Sequence, residues 1–457
     1  MRKAWFPLVA LVGLLMVFAF NHRALRCSFV FDDWVVIANN PALNSESLTE
    51  ALAFNPFRSA VYSTYWVQIR MQGAQLDASS FRAVNILLHW LAGLIVTYLT
   101  FVIFFRKKET AILAGILFWV NPVFLEAVNF ILGRGELMLA VFYFGALCFY
   151  LDRKRPWISG AGFFICFALA LLCKEVAITL PAAALLLSFY RAEKWKRPEV
   201  LGGCALVVIF IILRLNWTIE LAKTPEGVPS WPGYFLDQNW IFWLATLKTL
   251  IPVHLNFDYQ LAHRSVLGVI FLVFNLIFFA LLLLSSIRSN KSGWLALIYV
   301  LIYLPLGLIP LADPLRESRL YLPGAWLMVM LAMTAGRLLE KHKRSVAILT
   351  GVIIICLSLL SLNRAGVWRS EPELWRDALA KSPQKFRPAY NYATALRRKL
   401  ELDRARQVYL WAKKIDPENE KVDWALALIE EAQKYLEKIE QFRKSLESTP
   451  EKVSPGQ

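Results

Sequence analysis

Charge is scarce in this chain. Of its 457 residues, 18% are charged and 57% are hydrophobic. An ordinary soluble domain is about 25% charged and roughly half apolar. Cores stop growing beyond roughly 250–300 residues, so one soluble core cannot hide that excess. A soluble globular enzyme is excluded, and so is a disordered protein. Histidine is also scarce: five residues, with no close pair in sequence. HExxH, GxSxG, the P-loop and GxGxxG are all missing. Metalloprotease, serine-hydrolase and nucleotide chemistry therefore lack support. The six cysteines show no CxxC and no even spacing. That pattern implies neither a disulfide framework nor a zinc site.

Long apolar runs are what the chain does have. A bilayer core of about 30 Å needs about 20 residues of apolar helix. The first run, Ala4 to Phe20, follows Arg2 and Lys3. No small-residue cleavage site follows it, so it reads as a retained signal-anchor. Ten more runs lie at 83–105, 110–121, 136–151, 157–173, 176–190, 198–215, 266–287, 294–312, 320–336 and 345–362. The expected fold is all-α, a polytopic membrane protein with about eleven transmembrane helices over residues 1–362. Residues 21–81 form its first extracytoplasmic loop. The segment 236–252 carries Lys248 and ends at Pro252, which fits an interfacial or re-entrant helix.

The net charge is +16. The basic residues cluster between apolar runs: Arg106-Lys107-Lys108, Arg153-Lys154-Arg155, Arg191 to Arg197, Arg288 with Lys291, and Arg337 to Arg344. All fall on the cytoplasmic side if eleven spans alternate from an inside N-terminus. The C-terminus is then extracytoplasmic, and nucleic acid is not an expected partner. Residues 363–447 are polar and helical in pattern. Pro383 and Pro417, each closing a similar segment, stand 34 residues apart. That is the tetratricopeptide (TPR) period. Asn391, Tyr392, Ala393 and Ala395 fit the tight-packing side of the following helix. Residues 448–457 read as a disordered tail.

Ionisable residues at membrane depth are costly and functional by default. Under this topology five charged segments share the outer face. Phe29 to Trp34 carries Asp32 and Asp33, a general-base candidate or a solvated capping pair. Asn121 to Glu136 carries Glu126, Asn129 and Arg134. Arg134 stands between two glycines as an anion ligand or as the partner of Glu136. Lys174-Glu175 is either a further anion site or an ion pair at a hairpin tip. Asn256 to Tyr259 is a fourth polar turn. Arg316 to Pro323 carries Arg316, Glu317, Arg319 and Tyr321; its arginines could clamp a lipid phosphate or snorkel.

The segments FVFDDWVVIANNPALN, FRAVNILLHWLAGL, NPVFLEAVNFILGRGELM, LLCKEVAITLPAAALL, TLIPVHLNFDYQ and ESRLYLPGAWL resemble, in order, the polytopic GT-C glycosyltransferases. They are most similar to the TMTC-like O-mannosyltransferases that carry TPR repeats. VWRSEPELWRDAL then leads into the repeat. Where that family often has HPVHTEAV, this chain has NPVFLEAV, with Asn121 and Phe124 in place of both histidines. The repeat region is also far shorter than in the animal members.

The resemblance implies transfer of a sugar, mannose by analogy, from a polyprenyl-phosphate carrier to an acceptor hydroxyl. The acceptor would be protein Ser/Thr or a glycan, the side extracytoplasmic, the outcome inverting, and the location the inner (plasma) membrane. By analogy Asp32 is the base, supported by Asp33. Arg319, Arg134, Arg316 and Lys174 hold the donor phosphate. Glu126, Glu175, Asn129, Glu317 and Tyr321 orient the site or the acceptor. Some relatives bind a divalent cation near the first-loop acids, but no ligand set is evident here and no cofactor is assigned. The TPR-like domain would recruit the acceptor. Two other classes compete: a non-catalytic membrane scaffold and a lipid-carrier transporter. A transporter would carry inverted repeats and midplane charges, and neither is evident.

Overall fold

The computed structural model describes residues 5–73, 75–104, 107–152, 154–193, 198–221, 230–288 and 291–447, without the side chains of 216–221 and 446–447. Arg106, Arg153, Lys194 to Arg197 and the 448–457 tail lie outside the described residues. The described chain is all-helical, with no strand. It divides into two units, Met1–Ser370 and Glu371–Gln457.

In the first unit each of the eleven apolar runs contains a helix. Among the described residues seven helices are long and apolar enough to cross a bilayer: those within Trp5–Arg26, Ala78–Ile103, Ile131–Leu151, Pro198–Leu215, Ser265–Arg288, Glu317–Lys341 and Lys343–Val367. This is a multi-pass membrane protein. The remaining runs depart from ideal spans for local reasons. Lys108–Val120 and Pro122–Asn129 meet at a 53° bend, because Pro122 cannot continue the first helix. Asn121 caps the new turn by accepting from the Val123 amide. The 176–190 run opens as a 3-10 turn, Glu175–Thr179, and leaves a helix of only 12 residues, Leu180–Arg191. Trp231–Leu250 is a 20-residue helix that packs on Ser265–Arg288.

Small residues set the closest packing. A Cβ on Gly13 or Gly93 would collide with the Trp119 ring. The first helix, Ala78–Ile103 and Lys108–Val120 therefore converge on one buried tryptophan. Asp77 starts Ala78–Ile103 by accepting from the Ser79 amide. That helix carries the buried polar residues Arg82, Asn85 and His89 on its inner face.

The second unit is four helices in sequence, Glu371–Lys381, Phe386–Arg398, Leu402–Ile415 and Glu420–Glu447. Each packs on the next. Tyr392, Ala393, Ala395 and Leu396 are buried, while Asn391 is half-buried. Leu400 turns the chain at φ +59°, in the left-handed region that favours glycine.

Candidate functional site

The charged segments between the apolar helices of the first unit enclose a cavity of about 290 Å³. Its wall carries Asp32 from the first loop, Arg58, Glu136, Lys174, Glu175, Arg316 and Arg319, with Tyr62 and Tyr65 between them. Four cations and three carboxylates, from Asp32 to Arg319 in sequence, share one small volume. Five of the sequence-nominated residues are thus brought together: Asp32, Lys174, Glu175, Arg316 and Arg319. Six are not: Asp33, Glu126, Asn129, Arg134, Glu317 and Tyr321 all lie outside the lining.

Asp32 and Asp33 have separate surroundings. Phe31 has φ +52°, which a bulky non-glycine residue adopts at a cost of about 1–3 kcal/mol. The chain reverses there. Asp32 is left half-buried in the cavity wall and Asp33 fully buried behind it. The Asp33 carboxylate accepts from the amides of Val30 and Leu132, both at 3.2 Å. It stitches the first loop to the 130–133 turn. Burial pushes its carboxyl up to about 7, against the pull of Arg82 and of the backbone amides. Asp33 therefore positions the loop and faces no substrate space.

The 3-10 turn Ile131–Gly133 delivers Leu132, Gly133 and Gly135 to the cavity. Gly133 is required there, since a Cβ would strike the Ala127 carbonyl. Arg134 points the other way. It is fully buried and donates to Asn85 Oδ1 (3.0 Å), Thr64 Oγ1 (3.1 Å), Gln68 Oε1 (2.9 Å) and the Phe81 carbonyl (3.0 Å). Arg134 and Glu136 do not pair. Glu136 instead bonds Lys174.

Lys174 and Glu175 do not pair with each other either. Glu175 faces Arg58 at 3.8 Å. Burial alone would raise the Glu175 carboxyl, but Arg58 and Lys174 outweigh it and hold it below the usual range. Arg58 was missed by sequence reasoning. It sits in a polar loop with no motif, and only its proximity in space marks it.

Arg316 donates to Glu126 Oε1 at 3.0 Å and lies over the rings of Phe130 (5.1 Å) and Phe257 (5.0 Å). Arg319 donates to the Asp313 carbonyl. Glu126 is fully buried, also accepts from Ser318, and has no protein partner at Oε2. Asn129, three residues on, is equally buried, and neither atom of its amide has a protein partner. Glu317 turns inward to Arg364 at 3.1 Å and accepts from Tyr259. Tyr321 bonds His89 at 2.7 Å, with Phe118 and Phe124 edge-on to its ring. Glu317 and Tyr321 are therefore buried structural partners. Asn121 and Phe124, which replace the expected histidines, are also buried outside the cavity. No three His, Cys, Asp or Glu side chains converge on a cation site among the described residues.

Such a wall suits one kind of event. A carboxylate can take a proton from a hydroxyl, while guanidinium and ammonium groups hold phosphate oxygens. No family model matches the chain. It is similar over most of its length to proteins named O-mannosyl-transferases. It is 25% identical to "Protein O-mannosyl-transferase F38B6.6" of Caenorhabditis elegans over 86% of this chain and 60% of that protein. It is 23% identical to human "Protein O-mannosyl-transferase TMTC3" over 90% and 51%. With mouse "Protein O-mannosyl-transferase TMTC4" the identity is 27%, over 85% and 63%. The chain thus spans between half and two thirds of the length of these curated relatives, and it is related to the TMTC-type transferases.

Proposed function

We propose that the protein is a glycosyltransferase that moves a hexose, mannose by analogy with its relatives, from a polyprenyl phosphate to a Ser or Thr hydroxyl. The observation that carries this reading is the cavity wall, where Asp32 shares about 290 Å³ with Arg58, Lys174, Arg316 and Arg319. In this reading the eleven apolar runs cross the membrane, with 236–252 lying at the interface. The cavity and the TPR-like second unit are extracytoplasmic, and the membrane is the inner (plasma) membrane. The four helices of the second unit recruit the acceptor protein.

The chemistry follows from the charges. Asp32 accepts the proton of the acceptor hydroxyl as its oxygen attacks the anomeric carbon. The bond from that carbon to the phosphate oxygen breaks with inversion. The leaving polyprenyl phosphate passes from a singly charged diester to a doubly charged monoester. Cations that meet the added charge stabilise the transition state more than the ground state. Arg319 and Arg316 are assigned to the phosphate, with Lys174 and Arg58 as further cations of the same wall. Glu126 holds Arg316 in place, Asp33 holds the loop that carries Asp32, and Glu175 balances Arg58.

The test is direct. Purified protein is given radiolabelled polyprenyl-phosphate mannose and a mixture of extracytoplasmic proteins. Label in protein that alkaline β-elimination releases is the expected result. Failure of every polyprenyl-linked hexose to label any protein contradicts the proposal.

A further inference from the structure

Two arginines beneath the cavity are held in a manner the catalytic reading does not use. Arg134 and Arg82 are both fully buried. Every partner of Arg134 is a neutral acceptor: two side-chain amides, one hydroxyl and one carbonyl. Arg82 donates from all three nitrogens to backbone carbonyls, those of Asn129 (2.8 Å), Cys27 and Ser28 (2.5 Å). Neither meets a carboxylate. The carboxylate that acts on both is Asp33, which is bonded to backbone amides. Two guanidiniums therefore share Asp33, and only Arg82 also feels a second acid, Asp77.

A buried cation without a counter-ion is costly, and proteins ordinarily pair it. Here a carboxylate at 64, 68 or 85 would have paired Arg134, yet Thr64, Gln68 and Asn85 stand there. The cage satisfies the hydrogen bonds and leaves the charge. That charge sits directly behind the cavity. The Arg134 guanidinium lies 4.4 Å from the centre of the Tyr65 ring, and Tyr65 lines the cavity, as do Gly133 and Gly135 on either side of Arg134.

We infer that Arg134, caged by neutral acceptors, is a positioning residue whose uncompensated charge acts through the Tyr65 wall to select an anionic, phosphate-bearing lipid in the cavity. The inference deepens the proposed donor reading and rests on it. The missing counter-ion of Arg134 is the substrate's phosphate. At an effective dielectric near 20, a unit charge held behind that wall changes affinity by roughly tenfold or more.

The experiment separates charge from structure. The full chain in detergent is challenged with polyprenyl phosphate and with the uncharged polyprenol of equal length, each competing against radiolabelled donor. The readout is the ratio of the two affinities, which a merely structural role would not move. Gln68→Glu keeps an acceptor on Arg134 and adds the absent counter-charge, so the fold is retained while the field is cancelled. Arg134→Gln removes the charge, and Arg134→Lys restores it with a poorer fork. The expected result is roughly a tenfold fall in the ratio for Gln68→Glu and for Arg134→Gln, with Arg134→Lys close to wild type. An unchanged ratio in folded Gln68→Glu overturns the inference while the donor reading stands. A wild type that does not distinguish the phosphate from the alcohol overturns the donor reading, and the inference with it.

Discussion

Arginines of the first unit are treated in two ways. Half-buried Arg316 meets Glu126 and buried Arg364 meets Glu317, at 3.0 and 3.1 Å. Buried Arg82 and Arg134 instead meet carbonyls, amides and a hydroxyl. The first arrangement fixes geometry and cancels charge. The second fixes geometry and keeps it. A buried ion pair is weak evidence of net stability, because desolvation offsets attraction; breaking one by removing a single partner is what costs. A caged cation has no such partner to lose and remains available to an anion.

The contrast predicts unequal responses to substitution. Glu317→Leu takes a buried carboxylate away from the Arg364 guanidinium and from the Tyr259 hydroxyl. It lowers stability by about 3–5 kcal/mol, read as a large drop in the thermal midpoint in detergent. Adding Arg364→Met restores most of that loss. If the double variant is no better than the single one, the pair is not the unit that matters.

Asp33→Ala removes the acceptor of the buried Val30 amide and the half-buried Leu132 amide and costs about 1–3 kcal/mol for a buried group left unsatisfied. Its pH signature is the sharper check. Burial holds the folded carboxyl near 7, against about 3.9 unfolded. Below about pH 4 both states are protonated. Between about 4 and 7 the folded state keeps a proton that the unfolded state releases, so wild-type stability falls as pH rises, and above 7 the loss is complete. Asp33→Asn flattens that window in a melt series across pH. A slope retained in the variant assigns the titration elsewhere.

Arg319→Gln, in the cavity wall, raises KM for the donor about tenfold, the loss of one charge-assisted contact of about 1.4 kcal/mol. The smallest effect belongs to an exposed ion pair. Lys107–Glu340 is open to solvent on both partners, and Glu340→Gln leaves the melting midpoint unchanged.

Much of the fold was legible because apolar length is a local property. Every apolar run holds a helix, and the Asn121-Pro122 break falls where proline requires it. The limits of that reading are also physical. Hydropathy does not report that residues 176–179 wind as a 3-10 turn, leaving a short helix behind them. In the site, sequence nominated the charged outer segments, and Asp32, Lys174, Glu175, Arg316 and Arg319 do converge. It could not sort lining residues from those behind them. Adjacent carboxylates look alike in sequence, yet the left-handed turn at Phe31 gives Asp32 to the cavity and Asp33 to the core. Arg134 looked accessible between two glycines, but only the glycines reach the cavity. Sequence proximity suggests ion pairs between neighbours, whereas Lys174–Glu136 and Arg58–Glu175 join different segments. Arg58 has no local signal at all.

The central claim is a division of labour within one cavity, Asp32 for the proton and the cations for the phosphate. The most direct measurement compares turnover and donor binding in Asp32→Asn and wild type, side by side. Turnover about 10³-fold lower, as for the loss of a general base, with polyprenyl-phosphate affinity within about threefold, is the predicted result. Wild-type turnover in folded Asp32→Asn would contradict it.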